Sequence, residues 1–224
     1  MNPNRLLPAL PVLLAAAVLA FGAFAVPARA EIASVKDALK EISYGKADAP
    51  VLIYGFESLS CPHCRDFHVG AWPKIKKTYV DTGKVRFVLR DFPHNGQGFL
   101  GIMTARCLGP ARAKGMVEIL FANQAQWAFL GRDKFYEALG RYARLGGLSE
   151  ADFKACLDSE GIVKGIRDSI NEATSRYKIT SVPSFLIGTK KQIDSGAAQR
   201  LDGAQPFETF GRIIEEALAA AGRK

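Results

Sequence analysis

Two cysteines separated by two residues, Cys61-Pro62-His63-Cys64, are the side chains in this sequence best placed to do chemistry. A cysteine at the first turn of a helix faces unpaired backbone N–H groups and the positive end of the helix dipole, and both favour the thiolate over the thiol. Cys61 takes that position and Cys64 follows one turn later on the same face, close enough to close a small disulfide ring. Pro62 and His63 support the pair, His63 by adding a donor or positive charge near the Cys61 sulfur. Stabilising the thiolate stabilises the reduced pair relative to the disulfide. The motif should therefore accept electrons readily, as an oxidant of other proteins does. Three other readings stay open on the motif alone. It could be a plain structural disulfide, half of a zinc site, or a Cu(I) site completed by His68. The zinc reading lacks a second cysteine pair at ligand spacing and has only His63, His68 and His94 to draw on.

The elements around the motif place it. Asp48-Ala49-Pro50 marks a turn, and the apolar run Val51-Leu52-Ile53-Tyr54 reads as a buried strand ending before a loop to Cys61. From Cys61 to Tyr79 the apolar residues recur at helical spacing, with Pro73 expected to kink the helix. Asp81-Thr82-Gly83-Lys84 is a turn, and Val85 to Arg90 is the next strand. Strand, helix and strand make a βαβ unit with a right-handed crossover. Residues 32–42 read as a short helix ahead of it. A long helical region then runs from Gly98 to Tyr177, with a capping box at Ser149 and Asp152. Strand signals return at Ser184 to Ile187 and within Gln199 to Asp202, and Pro206 leads a terminal helix from Phe207 to Ala221. The fold class is α/β: a βαβ half, a helical insertion and a ββα half.

Residues 1–30 read differently from the rest. Arg5 is the first charge ahead of a long apolar run, Leu6 to Val26, which ends at Pro27-Ala28-Arg29-Ala30. Small residues at Ala28 and Ala30 predict a secretory signal peptide cleaved after Ala30. An uncleaved membrane anchor is the alternative, since such a run is about as long as a bilayer-spanning helix. Cleavage takes two of the 30 Lys and Arg and none of the 22 Asp and Glu, leaving a formal charge of +6 from the original +8. No block of like charge and no basic-aromatic interleaving appears, so no nucleic-acid partner is expected.

Ser181-Val182-Pro183 lies directly before a strand, which alone is ordinary. Joined to the Cys-x-x-Cys helix and the order of elements, it makes the chain resemble the thioredoxin superfamily, in which a cis-proline loop faces the active-site disulfide. The stretches CPHCRDFH, YVDTGKVRFVLRDFP and ITSVPSFLIG, with the interrupting helices, resemble the DsbA-like disulfide oxidoreductases of the alpha-proteobacterial type over residues 45–220. That resemblance implies a thioredoxin-like fold in two halves, residues 31–97 and 178–224, with a helical domain at 98–177 between them. It implies a cis bond at Val182-Pro183, with backbone groups there free to hold an extended substrate. It implies oxidation of reduced or unfolded exported proteins in the periplasm, with Cys61 as attacking sulfur and Cys64 as its resolving partner. A DsbB-like quinone-linked membrane protein would restore the disulfide, and no cofactor or metal is called for. Relatives often carry a glutamate six residues before the first cysteine, where it can pass protons to the second; here that position is Gly55. Glu57, two residues on, is the candidate proton partner and is expected to tune Cys64 only weakly. A disulfide isomerase or reductase of the same fold is the nearest alternative, and a periplasmic Cu(I)-binding or chaperone module is the alternative from another class. A monomer is expected.

Cys107 and Cys156 both fall in the helical region. An exported protein rarely leaves two thiols unpaired, so they are expected to bond to each other as a structural disulfide; two separate buried thiols are the other reading. In some relatives a second disulfide tunes the first, a role that the resemblance extends to this pair. His68 is read as a packed helix residue and His94 as a loop residue.

Overall fold

The computed structural model describes residues 32–222, so the expected signal peptide lies outside the described residues. A single turn, α1 (Val35–Ala38), capped by the Ser34 hydroxyl, leads into β1 (Ile42–Tyr44) and β2 (Val51–Glu57). Helix α2 (Pro62–Val69) follows, then α3 (Ala71–Ile75), which widens into a π-helical turn at Lys76–Val80 before β3 (Val85–Asp91). Five helices come next: α4 (Gly96–Cys107), α5 (Gly109–Ala122), α6 (Arg132–Leu145), α7 (Glu150–Leu157) and α8 (Glu160–Ser175). Strand β4 (Ser184–Gly188), helix α9 (Lys190–Ser195), strand β5 (Gln199–Asp202) and helix α10 (Phe207–Gly222) complete the chain.

The strands form one sheet in the order β1-β3-β2-β4-β5, in which β2 and β3 pair in parallel and the other neighbours are antiparallel. Strand β2 is central and covered on both faces, which is why its sequence is apolar almost throughout. Its alternation still decides what faces what. Ile53 points into the larger core with Phe67, Phe185 and Phe210, whereas Phe56 packs with Ala173, Ile179 and Ile193 on the opposite face. Phe67 of α2 lies 4.6 Å from Phe185 on β4 and 5.2 Å from Phe210 on α10, ring centre to ring centre, so α2 is fixed against the sheet by aromatic contacts.

Two local expectations are corrected. Residues 32–42 are not one helix: α1 closes after four residues, and Ile42 and Tyr44 become the buried side of an edge strand opposite Leu89 and Phe87. Three residues are too few to display a period of two. The break in the long helix falls at Gly70, not at Pro73. A proline ring clashes with the carbonyl four residues earlier, here that of Val69, so the helix opens one turn upstream and Pro73 sits in the first turn of α3, where no N–H is required of it.

Helices α4 and α7 are joined by a disulfide between Cys107 at the end of α4 and Cys156 on α7, 49 residues apart, and both are fully buried. Arg106, beside Cys107, is also buried. Its Nε donates to Asp91 Oδ2 at 2.5 Å and its Nη1 to Ala38 O at 2.8 Å, tying α4 to β3 and to the end of α1. A loop of that length closed by a crosslink is stabilised by about 4 kcal/mol in the chain-entropy model. The Cys107→Ala/Cys156→Ala double variant should lose about that much in a urea titration; a loss under about 1 kcal/mol would contradict the estimate.

Candidate active site

Strand β2 ends at Glu57, a tight loop carries the chain through Ser58, Leu59 and Ser60, and Cys61 is the N-cap of α2, with Pro62 at the first helical position. The loop is wholly buried and closed by Cys61 N–H donating to Ser58 O at 3.0 Å. Ser60 donates to Asn95 Oδ1 at 2.7 Å, and that oxygen also caps α4 by accepting Gly98 N–H at 2.8 Å. Gly98 is required here: a Cβ would come within 2.5 Å of Ser58 Oγ and 2.7 Å of Ser60 Oγ. The start of α4 therefore presses directly on the loop before the cysteines.

Both cysteines are free thiols. Cys61 is 6% exposed and Cys64 0%, so only Cys61 is open to a partner. The environment splits the two thiols apart. Cys61 is brought down to about 6, chiefly because the Cys64 thiol donates to it, with help from the backbone N–H groups of Cys64 and His63 and from the charge of His94, all acting against burial. Cys64 is pushed well above the usual thiol range by burial first, then by its bond to Cys61 and by the negative charges of Glu57 and Cys61. The N–H of Ser58, 3.5 Å from Cys64 Sγ, opposes that rise.

At His63 the donor that reaches Cys61 is the backbone N–H; its imidazole is 76% exposed and lies 3.8 Å from Asp66. The Val182-Pro183 peptide bond is cis and brings Val182 O to 3.7 Å from Cys61 Sγ, where the thiol donates to it. Strand β4 starts directly after, so the loop is held by the sheet.

Glu57 and His68 form a buried pair beneath the cysteines. Glu57 Oε2 meets His68 Nε2 at 2.5 Å, with side-chain exposures of 0% and 3%. His68 lies one turn beyond Cys64 on α2 and stacks on Phe121 with ring centres 4.0 Å apart. Gly55 explains how the carboxyl fits. A Cβ on Gly55 would stand 2.9 Å from Glu57 Oε1 and 2.5 Å from the Phe87 ring, so the Glu57 carboxyl fills the space beside the strand that a side chain at 55 would need. Glu57 Oε1 has no hydrogen-bond partner among the described residues.

His68, the third ligand of the copper reading, directs its Nε2 to Glu57. Among the described residues no group of three or more His, Cys, Asp and Glu is arranged to hold a metal ion. Reading the sequence missed Gln124, which donates to the carbonyls of both Leu59 and Cys61. Nothing local to Gln124 signals this, because its partners lie in another part of the chain.

Comparison with known proteins agrees with this geometry. A family model described as Thioredoxin matches residues 37–216. A Rickettsia prowazekii protein bearing the name "Putative protein-disulfide oxidoreductase" is 30% identical over 173 residues, covering 75% of this chain and 63% of its own. A Rickettsia typhi protein of similar name is 31% identical over 144 residues, covering 64% of this chain and 53% of its own, so the chain spans a little over half the length of the curated relatives it matches. Among solved structures, Wolbachia pipientis alpha-DsbA1 superposes with a TM-score of 0.72 at 25% identity over 81% of this chain and 92% of that one. Bacillus subtilis BdbD in its oxidised form has the same fold, with a TM-score of 0.68 at 20% identity over 85% of this chain and 97% of that one. The chain belongs to the thioredoxin family, and within it to the DsbA-like proteins of the alpha-proteobacterial type.

Proposed function

We propose that the protein is a thiol-disulfide oxidoreductase that introduces disulfide bonds into reduced or unfolded exported polypeptides in the periplasm. The observation that carries this reading is the placement of Cys61 at the N-cap of α2, beside the Val182 carbonyl and above a fully buried Cys64, which lowers the first thiol and raises the second. A client thiolate attacks Cys61 Sγ of the oxidised pair, the Cys61–Cys64 bond breaks, and the electrons leave on Cys64, which takes a proton. A second client thiolate then attacks the client sulfur of the mixed disulfide and releases Cys61 as a thiolate. A thiol of low pKa leaves faster, so the second step is favoured.

Glu57 is the proton partner of Cys64 in this reading. Its carboxyl is buried under the pair and its charge acts on Cys64 directly. Val182 and Pro183 organise the client: a carbonyl beside Cys61 suits an extended segment pairing in the manner of an added strand. Reoxidation falls to a DsbB-like quinone-linked membrane protein docking around Pro183, and the protein works as a monomer. No helix among the described residues is long and apolar enough to cross a membrane.

Oxidation is favoured over isomerisation on the direction of the thiolate effect. At pH 7 a Cys61 thiol held at about 6, below its ordinary value of 9.0, is mostly ionised in the reduced protein, which stabilises the reduced form relative to the disulfide and makes the pair more oxidising. The test is oxidation of a reduced two-cysteine peptide run beside reshuffling of a scrambled, fully oxidised substrate. Fast oxidation with little reshuffling is expected, and fast reshuffling with little oxidation would replace this reading by an isomerase.

A further inference from the structure

The loop that presents Cys61 is held from outside the sheet. Gln124 begins a short 3-10 turn after α5 and is 1% exposed. Its Nε2 donates to Leu59 O at 2.8 Å and to Cys61 O at 2.9 Å, so both amide hydrogens are used on the two residues that flank Ser60. Because both partners are carbonyls, the amide can face them only with its nitrogen. The residue is itself anchored, since Gln124 O accepts from Ala128 N–H at 2.8 Å and from Trp127 N–H at 3.2 Å.

The carbonyl of Cys61 belongs to the Cys61-Pro62 peptide, whose orientation sets the direction in which α2 starts. That direction decides whether the N–H groups of His63 and Cys64 point at Cys61 Sγ. Cys61 O also accepts the first helical bond, from Arg65 N–H at 3.1 Å, so Gln124 occupies the second lone pair of a carbonyl already committed to the helix. With the 3.0 Å bond from Cys61 N–H to Ser58 O, the turn is fixed on both sides of the reactive residue.

We propose that Gln124 is a positioning residue for Cys61, through which the helices between β3 and β4 fix the start of α2 and hold its N–H groups on the reactive sulfur. This deepens the oxidoreductase reading and rests on it for its functional meaning. The helices are then part of the redox centre, and the glutamine amide is the link. No group at position 124 touches the sulfur itself, so its effect should pass through backbone geometry.

The test compares the full chain with its Gln124→Met variant, which keeps the volume and removes both donors. Thiolate formation in the reduced proteins is followed by absorbance at 240 nm against pH, with alkylation rates by iodoacetamide as a second readout and circular dichroism as a check of fold. In the folded Met variant Cys61 should become about tenfold less acidic, a shift of about one pH unit, with a matching fall in alkylation rate at pH 6. A folded variant that titrates like the parent would overturn the proposal. If Gln124→Met does not fold, Gln124→Leu, which also lacks both donors and adds no charge, takes its place and should also make Cys61 less acidic. Failure of both variants to fold would overturn the proposal too, because Gln124 would then be a stability element and not a positioning one. A parent protein titrating near the ordinary thiol value would count against the oxidoreductase reading itself, whereas an acidic parent with an equally acidic variant removes only the role of Gln124.

Discussion

Cys64→Ser should turn the protein from a catalyst into a trap. Cys64 is fully buried, so a client meets Cys61 first and depends on Cys64 as the internal leaving and resolving group. Serine keeps a hydroxyl that can donate to Cys61, so Cys61 should remain acidic and reactive. It should then attack the disulfide of an oxidised small thiol or an oxidised client, keeping one half as a stable mixed disulfide and releasing the other as a thiol. An intramolecular thiol held this close is worth an effective concentration far above any free thiol, so turnover should fall by roughly a thousandfold or more. Mass spectrometry of the non-reduced variant should show one adduct per chain, on Cys61. Cys61→Ser should form none, and substantial turnover by either variant would contradict the assignment.

Breaking the Glu57–His68 pair should lower both stability and activity. Removing one partner of a buried hydrogen bond leaves the other unsatisfied, at a cost of about 1–3 kcal/mol. Glu57→Leu should therefore lower stability by about that amount, and Glu57→Leu/His68→Phe should recover much of it, since an aromatic ring at 68 retains the stacking on Phe121. Glu57→Gln separates chemistry from stability. It removes one of the charges that raise Cys64, so Cys64 should become more acidic. It also removes the carboxylate that would relay a proton to Cys64, and oxidation of a reduced peptide should slow by about a hundredfold if proton transfer to Cys64 limits the first step. The expectation that Glu57 tunes Cys64 only weakly would be upheld if Glu57→Gln oxidised the peptide at nearly the parent rate.

How much of this was legible in the sequence depends on the distance over which each feature is determined. The Cys61 helix, the strand before it and the β3 and β4 segments show their patterns within a few residues, and so does the capping box at Ser149 and Asp152, which the structure closes through both bonds. Strand β1 and helix α9 were not read, because three and six residues are too short to display a period. Glu57 was picked out by strand alternation. That its partner would be His68 depends on α2 crossing over β2 at a particular height, which no local pattern records. Gln124 is the extreme case: its bonds to Leu59 and Cys61 span 65 and 63 residues. Likewise Arg106, in the last turn of α4, is buried on Asp91 because α4 docks there, a contact that no local pattern records. The residues that could do the chemistry were visible from their types and spacing, whereas those that hold them in place were visible only once the helices had packed.

Acidity of the Cys61 thiol is what the proposed chemistry depends on most. In the reduced protein, absorbance at 240 nm should rise with a midpoint near 6 as the Cys61 thiolate forms, with Cys64 contributing nothing until far higher pH. Because the folded value lies below the ordinary thiol value of 9.0, the stabilisation it lends the reduced fold is complete above about pH 9 and is lost as the pH falls through about 6. The unfolding free energy of the reduced protein, measured against that of the oxidised one, should follow the same window. A midpoint near 9, with no pH-dependent difference in stability between the two redox forms, would contradict the proposed role of Cys61 at its centre.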